Sequence, residues 1–125
     1  MGYRFTRLDR IRRREDFLLT QKRGRRLNAA HFTLVLYDRR DEGPSRLGLV
    51  TSRKVAKAVG RNRVRRVLRE TFRLNRDRFP AHTDVVVIAR EGAAELDSSV
   101  IRDEILAALT RRGIPPAPKP RTKAP

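Results

Sequence analysis

Arginine dominates the residues of this chain that could do chemistry, and its densest run lies between Arg53 and Arg76. On a helical wheel of 3.6 residues per turn, Val64, Val67, Leu68, Thr71, Phe72 and Asn75 share one arc. Arg61, Arg65, Arg69, Arg73 and Arg76 fill the neighbouring arc with Asn62 and Arg66. The pattern predicts a helix with a core face beside an arginine face. A guanidinium presents a planar fork of donors that matches phosphate oxygens two at a time, so such a ridge suits a nucleic-acid backbone better than a small acidic ligand. The plainer alternative is a solvated basic face. Against it, only Glu70 and Asp77 stand close enough in sequence to offset the repulsion among so many like charges.

No comparable constellation supports catalysis by side chains. His31 and His82 lie far apart in sequence, and ordinary surface or hydrogen-bonded histidines are the favoured reading of both. Asp38, Asp41 and Glu42 fall in a turn-rich stretch without the spacing of a metal site. Neither a GxxxxGK phosphate loop nor a GxSxG elbow is present. No catalytic residue and no metal ligand is therefore predicted within the chain.

Composition agrees with a polyanion as partner. The chain has 125 residues, with 31 Lys and Arg against 14 Asp and Glu, a formal charge of +17 and a sequence pI near 11.7. No apolar run approaches the ~20 residues of a spanning helix, and no signal-peptide core follows the basic start, so neither membrane nor secretion is expected. Cysteine is absent, which excludes disulfides and thiolate metal sites and is compatible with a cytoplasmic location.

The elements that must position the arginine ridge can be read in order. Residues 1–12 form a basic arm with scattered apolar positions, Tyr3, Phe5, Leu8 and Ile11. Glu15 and Asp16 suit a helix N-terminus and Gly24 a stop, which predicts a short helix near 13–22. His31 to Tyr37 alternates, with Phe32, Leu34 and Leu36 on an apolar face and His31, Thr33, Val35 and Tyr37 on a mixed one. Asp38 to Ser45 has hairpin-loop residues, Arg46 to Thr51 reads as the returning antiparallel strand, and Arg25–Leu27 suits a short edge strand. The arginine helix follows from near Ala58, with Gly60 an unwelcome residue in its first turn. Asp84 to Arg90 suits a buried strand, and Asp97 or Ser98 caps a last helix through about Arg112. Residues 1–112 are thus one domain, and residues 113–125, proline-rich and basic, are predicted to be disordered. The fold class is α+β, a mostly antiparallel four-stranded sheet with helices packed on it, in the order α-β-β-β-α-β-α. The mixed strand face, joined by Phe17, offers a surface on which bases could stack; the same side chains could equally fill core.

Leu47-Gly48-Leu49-Val50-Thr51-Ser52-Arg53-Lys54, then Ala58-Val59-Gly60-Arg61-Asn62-Arg63-Val64-Arg65-Arg66, then Arg69-Glu70-Thr71-Phe72, resembles the signature of the bacterial ribonuclease P protein subunit. The Arg-Asn-Arg at 61–63 is its hallmark, and the likeness extends over roughly residues 7–110, with Arg14-Glu15-Asp16-Phe17, Gly24 and Phe32 included. The resemblance implies a left-handed strand-helix-strand crossover shared with a ribosomal-protein domain, although most parallel crossovers are right-handed. It also implies a protein that binds a large catalytic RNA and helps it remove the 5′ leader of precursor tRNA, with Mg2+ held mainly by the RNA and no protein partner required. Ser52, Arg53, Lys54, Lys57, Arg61, Asn62, Arg63, Arg65, Arg66, Arg69 and Arg73 would face RNA. Phe17, His31, Thr33, Val35 and Tyr37 would line the leader cleft. Relatives often carry aromatics where this chain has Gln21 and Val35, a role Tyr37 could share. A structural RNA-binding protein of ribosomal type would share charge, size and fold, and a free-standing nuclease would need the constellation that is missing.

Overall fold

The run Val85-Val86-Val87-Ile88 puts apolar side chains on both faces of a strand, so that strand needs cover on both sides. The computed structural model, which describes residues 9–51 and 56–111, places it inside the sheet, with two helices over one face and a third over the other. The elements are α1 (Arg14–Arg23), β1 (Arg25–Asn28), β2 (Phe32–Asp38), β3 (Arg46–Val50), α2 (Ala58–Leu74), β4 (Thr83–Ala89) and α3 (Ser98–Arg111), with short 3-10 turns at Arg76–Arg78 and Ala93–Glu95. This is the predicted order, and the boundaries differ from expectation by a residue or two.

The sheet runs β1-β2-β4-β3. β1 pairs antiparallel with β2, and β2 antiparallel with β4, while β3 pairs parallel with β4. The predicted β2–β3 hairpin does not form, because β4 lies between the two strands. β3, with its glycine and half-buried ends, takes the edge; β4 takes the interior, where five of its seven residues in a row are buried. The loop after β2 instead arches over the start of β4. Arg39 N donates to His82 O (3.1 Å), and the Ser45 hydroxyl donates to Pro80 O (2.5 Å).

Alternation divides the side chains between two cores. Phe32, Leu34 and Leu36 of β2, with Leu47, Val85 and Val87, meet Val64, Val67, Leu68 and Phe72 of α2 and Ile101, Ile105 and Leu109 of α3. On the other face Val35 and Val86 are buried with Ile11, against Phe17 of α1 and half-buried Val50 and Ile88. The second core is small because α1 is short and polar. Gly60 has a packing role, since a Cβ there would lie 2.9 Å from Ala56 Cβ and 3.3 Å from Ala94 Cβ.

The end of the basic arm is pinned to the free edge of β3. Ile11 N donates to Leu47 O (3.0 Å), Arg10 bridges in parallel to Leu47, and the buried Asp9 carboxylate pairs with Arg76 at 2.7 Å. Covering an edge in this way also blocks pairing with another chain. Residues 1–8 of the predicted arm, and the proline-rich tail, lie outside the described residues. None of the described helices is long and apolar enough to cross a membrane.

Phe72 is 1% exposed, packs edge-on against Phe79 at 5.0 Å between centroids, and carries the Arg76 guanidinium over its ring at 5.1 Å. Phe72→Ala is expected to cost about 3–5 kcal/mol, read as a lower urea midpoint.

Candidate nucleic-acid interface

Of the α2 side chains, Val64, Val67, Leu68, Thr71 and Phe72 are buried, as the wheel predicts. The i, i+4 ridge of Arg61, Arg65 and Arg69 then runs along the boundary between helix and sheet. Arg65 and Arg69 form one wall of a groove of about 160 Å³. Its floor is Leu47, Gly48 and Leu49 of β3, and its opposite wall is Arg10, Ile11 and Phe17. The Phe17 ring lies directly on the strand backbone: a Cβ on Gly48 would come within 2.7 Å of the Phe17 Cε1 and Cζ atoms. Only glycine permits that approach.

The electrostatics of this groove are one-sided. Among the described residues, three guanidinium groups, from Arg10, Arg65 and Arg69, border it, and no carboxylate does. Burial and the charges of Arg10 and Arg65 lower the pKa of Arg69, which means that its positive form is disfavoured where it stands. An anion in the groove would relieve this repulsion. Arg65 is held in place by donation from Nε to the Thr51 hydroxyl at 2.9 Å.

The remaining predicted RNA-facing residues divide into groups. Ser52, Arg53 and Lys54 lie outside the described residues. Lys57, Asn62 and Arg66 are exposed on α2 or at its start. Arg61 donates to Ala56 O at 2.8 Å, and Arg73 pairs with Glu70 at 2.7 Å. Arg63 turns away from the groove. Its guanidinium donates to the Ser98 hydroxyl (3.2 Å), to Ala94 O (3.2 Å) and to Leu96 O, and so brackets the start of α2 to the connection before α3. Arg76, on the ridge by sequence, is engaged by Asp9.

The predicted cleft residues are not all brought together. Phe17 lines the groove, but Val35 is fully buried beneath α1, where a Cβ on Gly24 would lie 2.6 Å from its Cγ1. Thr33 is buried too and donates to Asn28 Oδ1 at 3.0 Å. His31 precedes β2 and points to α3. Its ring Nδ1 lies 3.0 Å from Glu104 Oε1, and its backbone N–H donates to Glu104 Oε2 at 2.5 Å. Tyr37 is half-buried and sits across from Asp84. The open groove therefore lies between α1, β3 and α2 rather than on the mixed face of β2, because α1 packs onto that face.

Arg10, Ile11, Leu47, Gly48 and Leu49 are the groove residues that sequence reasoning missed. Gly48 carried a readable signal, since a glycine inside a strand often marks the close approach of another group. Arg10 carried none beyond its charge. Among the described residues no group of three His, Asp or Glu side chains is placed to hold a metal ion.

A family model described as Ribonuclease P matches residues 5–113. The chain belongs to the ribonuclease P protein family. The ribonuclease P protein component of Desulfovibrio desulfuricans is 44% identical over 105 residues, covering 82% of this chain and 81% of that protein. That of Thermotoga maritima is 40% identical over 111 residues, covering 86% and 94%. Among solved structures, the Staphylococcus aureus RNase P protein superposes with a TM-score of 0.77 at 27% identity, over 85% of this chain and 96% of that one. The Thermotoga maritima RNase P protein gives 0.73 at 38% identity, over 82% and 96%. The region matched by the ribonuclease P family thus contains the whole groove, the bracket of Arg63 and the arginine ridge.

Removing the Arg63 guanidinium leaves two backbone carbonyls and a hydroxyl without its donors. Arg63→Ala is expected to lower stability by about 1–2 kcal/mol in urea unfolding, whereas the exposed Arg66→Ala stays within about 0.5 kcal/mol of the parent.

Proposed function

We propose that this chain is the protein subunit of a ribonuclease P, which binds the catalytic RNA and the 5′ leader of precursor tRNA and promotes endonucleolytic removal of the leader. One observation carries the reading: among the described residues, an aromatic ring and three guanidinium groups border a single groove, and no carboxylate lines it. Single-stranded nucleic acid is held by base stacking on aromatic faces and by phosphate contacts to arginine, and this groove offers both within one nucleotide's reach. The exposed flank of α2, with Lys57, Asn62 and Arg66, extends the basic surface and would face the catalytic RNA.

The chain contributes position and charge. It neutralises repulsion between two RNAs and holds the leader extended, so substrate affinity rises and less magnesium is needed. Magnesium supplies the phosphodiester chemistry on the RNA. This chain's own buried carboxylates do not suit the ion, since Asp9 is engaged by Arg76 and Asp84 by Arg39 and Arg46. The work takes place in the cytoplasm and requires no protein partner.

Reconstitution with a candidate catalytic RNA at low magnesium tests the reading, with leader removal faster than by the RNA alone as the expected result. Cleavage by protein stripped of RNA, or ribosomal RNA as the co-purifying species, would replace it with a nuclease or a ribosomal-type protein. Arg65→Ala and Arg69→Ala are each expected to lower the slope of log K against log salt by about 1 for RNA association. Phe17→Ala should weaken binding of leader-bearing tRNA by about 1–3 kcal/mol and leave mature tRNA nearly unaffected. Equal losses on both substrates would return Phe17 to a packing role.

A further inference from the structure

Among the described residues α1 carries the aromatic side chain of the groove, Phe17, on a narrow packed face. It has 10 residues, of which only Thr20 is fully buried, and Leu18 and Leu19 are exposed. Its N-cap residue, Arg13, makes no side-chain cap, and the first-turn carboxylates Glu15 and Asp16 stand against the positive charges of Arg12, Arg13 and Arg14 at the end where the backbone dipole is already positive. A helix of this length is marginal in isolation. Its orientation must come from specific contacts with the sheet.

One such contact is the Phe17 ring on Gly48. The second begins at Asp84, a carboxylate only 2% exposed in the row of the sheet that also holds Tyr37 and Arg46. Arg46 grips Asp84 with two bonds, from Nε to Oδ1 (2.8 Å) and from Nη2 to Oδ2 (2.7 Å). Arg39 completes the site at 2.5 Å and is itself engaged by Asp41. The Nη2 atom of Arg46 then reaches Asp16 Oδ2 at 3.4 Å. Asp16 immediately precedes Phe17, and Arg46 stands two residues before Gly48 on the same face of β3. Beyond its packing on Val35 and Val86, the helix is thereby fastened to β3 at two points about 7 Å apart along the strand, which fixes the end that carries Phe17.

We propose that Asp84, Arg46 and Asp16 form a positioning relay that seats the Phe17 ring on Gly48, and so sets how strongly the groove prefers a substrate that carries a single-stranded leader. This rests on the reading of the groove given above. A buried carboxylate between two arginines adds little net stability, because desolvation offsets the Coulomb attraction. What it does supply is a rigid geometry. Arg46 cannot swing toward solvent without leaving the Asp84 charge underpaired, so the second N–H of its Nη2 is aimed at α1. Asp16 is the link at which the relay can be cut without burying an unpaired charge, since its side chain is 29% exposed.

The test uses Asp16→Asn, Asp16→Glu, Phe17→Ala and the Asp16→Asn/Phe17→Ala double variant in the full chain. In the free protein, the NMR shift of the Gly48 Hα protons reports the ring current of Phe17. Asp16→Asn is expected to move that shift toward its value in Phe17→Ala, while the urea midpoint stays close to the parent's. In the complex with the catalytic RNA, Asp16→Asn is expected to reduce the preference for leader-bearing over leaderless tRNA about twofold to tenfold, and to add nothing once Phe17 is alanine. Asp16→Glu, which keeps the carboxylate, recovers most of the preference. An unchanged Gly48 shift, or an effect on preference that persists in full without Phe17, overturns the relay and leaves the groove reading standing. If Phe17→Ala itself weakens both substrates equally, the groove reading fails and the relay's effect on preference falls with it.

Discussion

β4 needs apolar cover on both of its faces, and the rest of the molecule is arranged to give it. Val85 and Val87 point into the core under α2 and α3, and Val86 and Ile88 point to the side that α1 covers. A strand of that kind needs its two faces covered, and here it also has a neighbour on either edge. β2 and β3 supply the neighbours, and the parallel pairing with β3 obliges the chain to cross over through α2. The crossover leaves one side of α2 against the sheet and its arginine flank at the rim of β3. The position of the charged groove is thus a consequence of where the most apolar strand must go.

The excess of positive charge is arranged rather than spread evenly. Some arginines are consumed inside the fold: Arg63 by the carbonyls of Ala94 and Leu96, Arg39 and Arg46 by Asp84, and Arg76 by Asp9. The hydrogen bonds of Asp84 raise the pKa of Arg46, and those of Asp41 and Asp84 raise that of Arg39 against the opposing effect of its burial. Arg69 shifts the other way, since burial and two like charges meet it without a carboxylate. Arginines stabilised by acids hold the structure, and the ones crowded together face the groove. That contrast separates the arginines consumed by the fold from those left at the groove better than proximity in sequence does.

Much of the fold is legible in the residues. The alternation in His31 to Tyr37, the valine run of β4 and the apolar stripes of α2 and α3 each announce an element through its pattern. Pairing is less legible. The stretch from Asp38 to Ser45 has every mark of a hairpin loop, and the two strands beside it are separated by β4 all the same. Local turn chemistry specifies that the chain can reverse, not which strand fills the gap. The site shows the same division. Arg65, Arg69 and Phe17 were readable candidates. Val35 and Thr33 sit on the same face by alternation, yet α1 buries both, and His31 is drawn to Glu104 of α3.

By itself, then, the sequence determined the class of partner, the helix that presents the arginines and the family to which the chain belongs. These follow from charge, period and motif, which are local properties of the residues. The tertiary structure alone decided which arginines border the groove, that the arm contributes Arg10 and Ile11 to it, and that Gly48 lets an aromatic ring rest on the strand. Those outcomes depend on contacts between residues tens of positions apart, set by how the helices pack on the two faces of the sheet, and no periodicity along the chain encodes them.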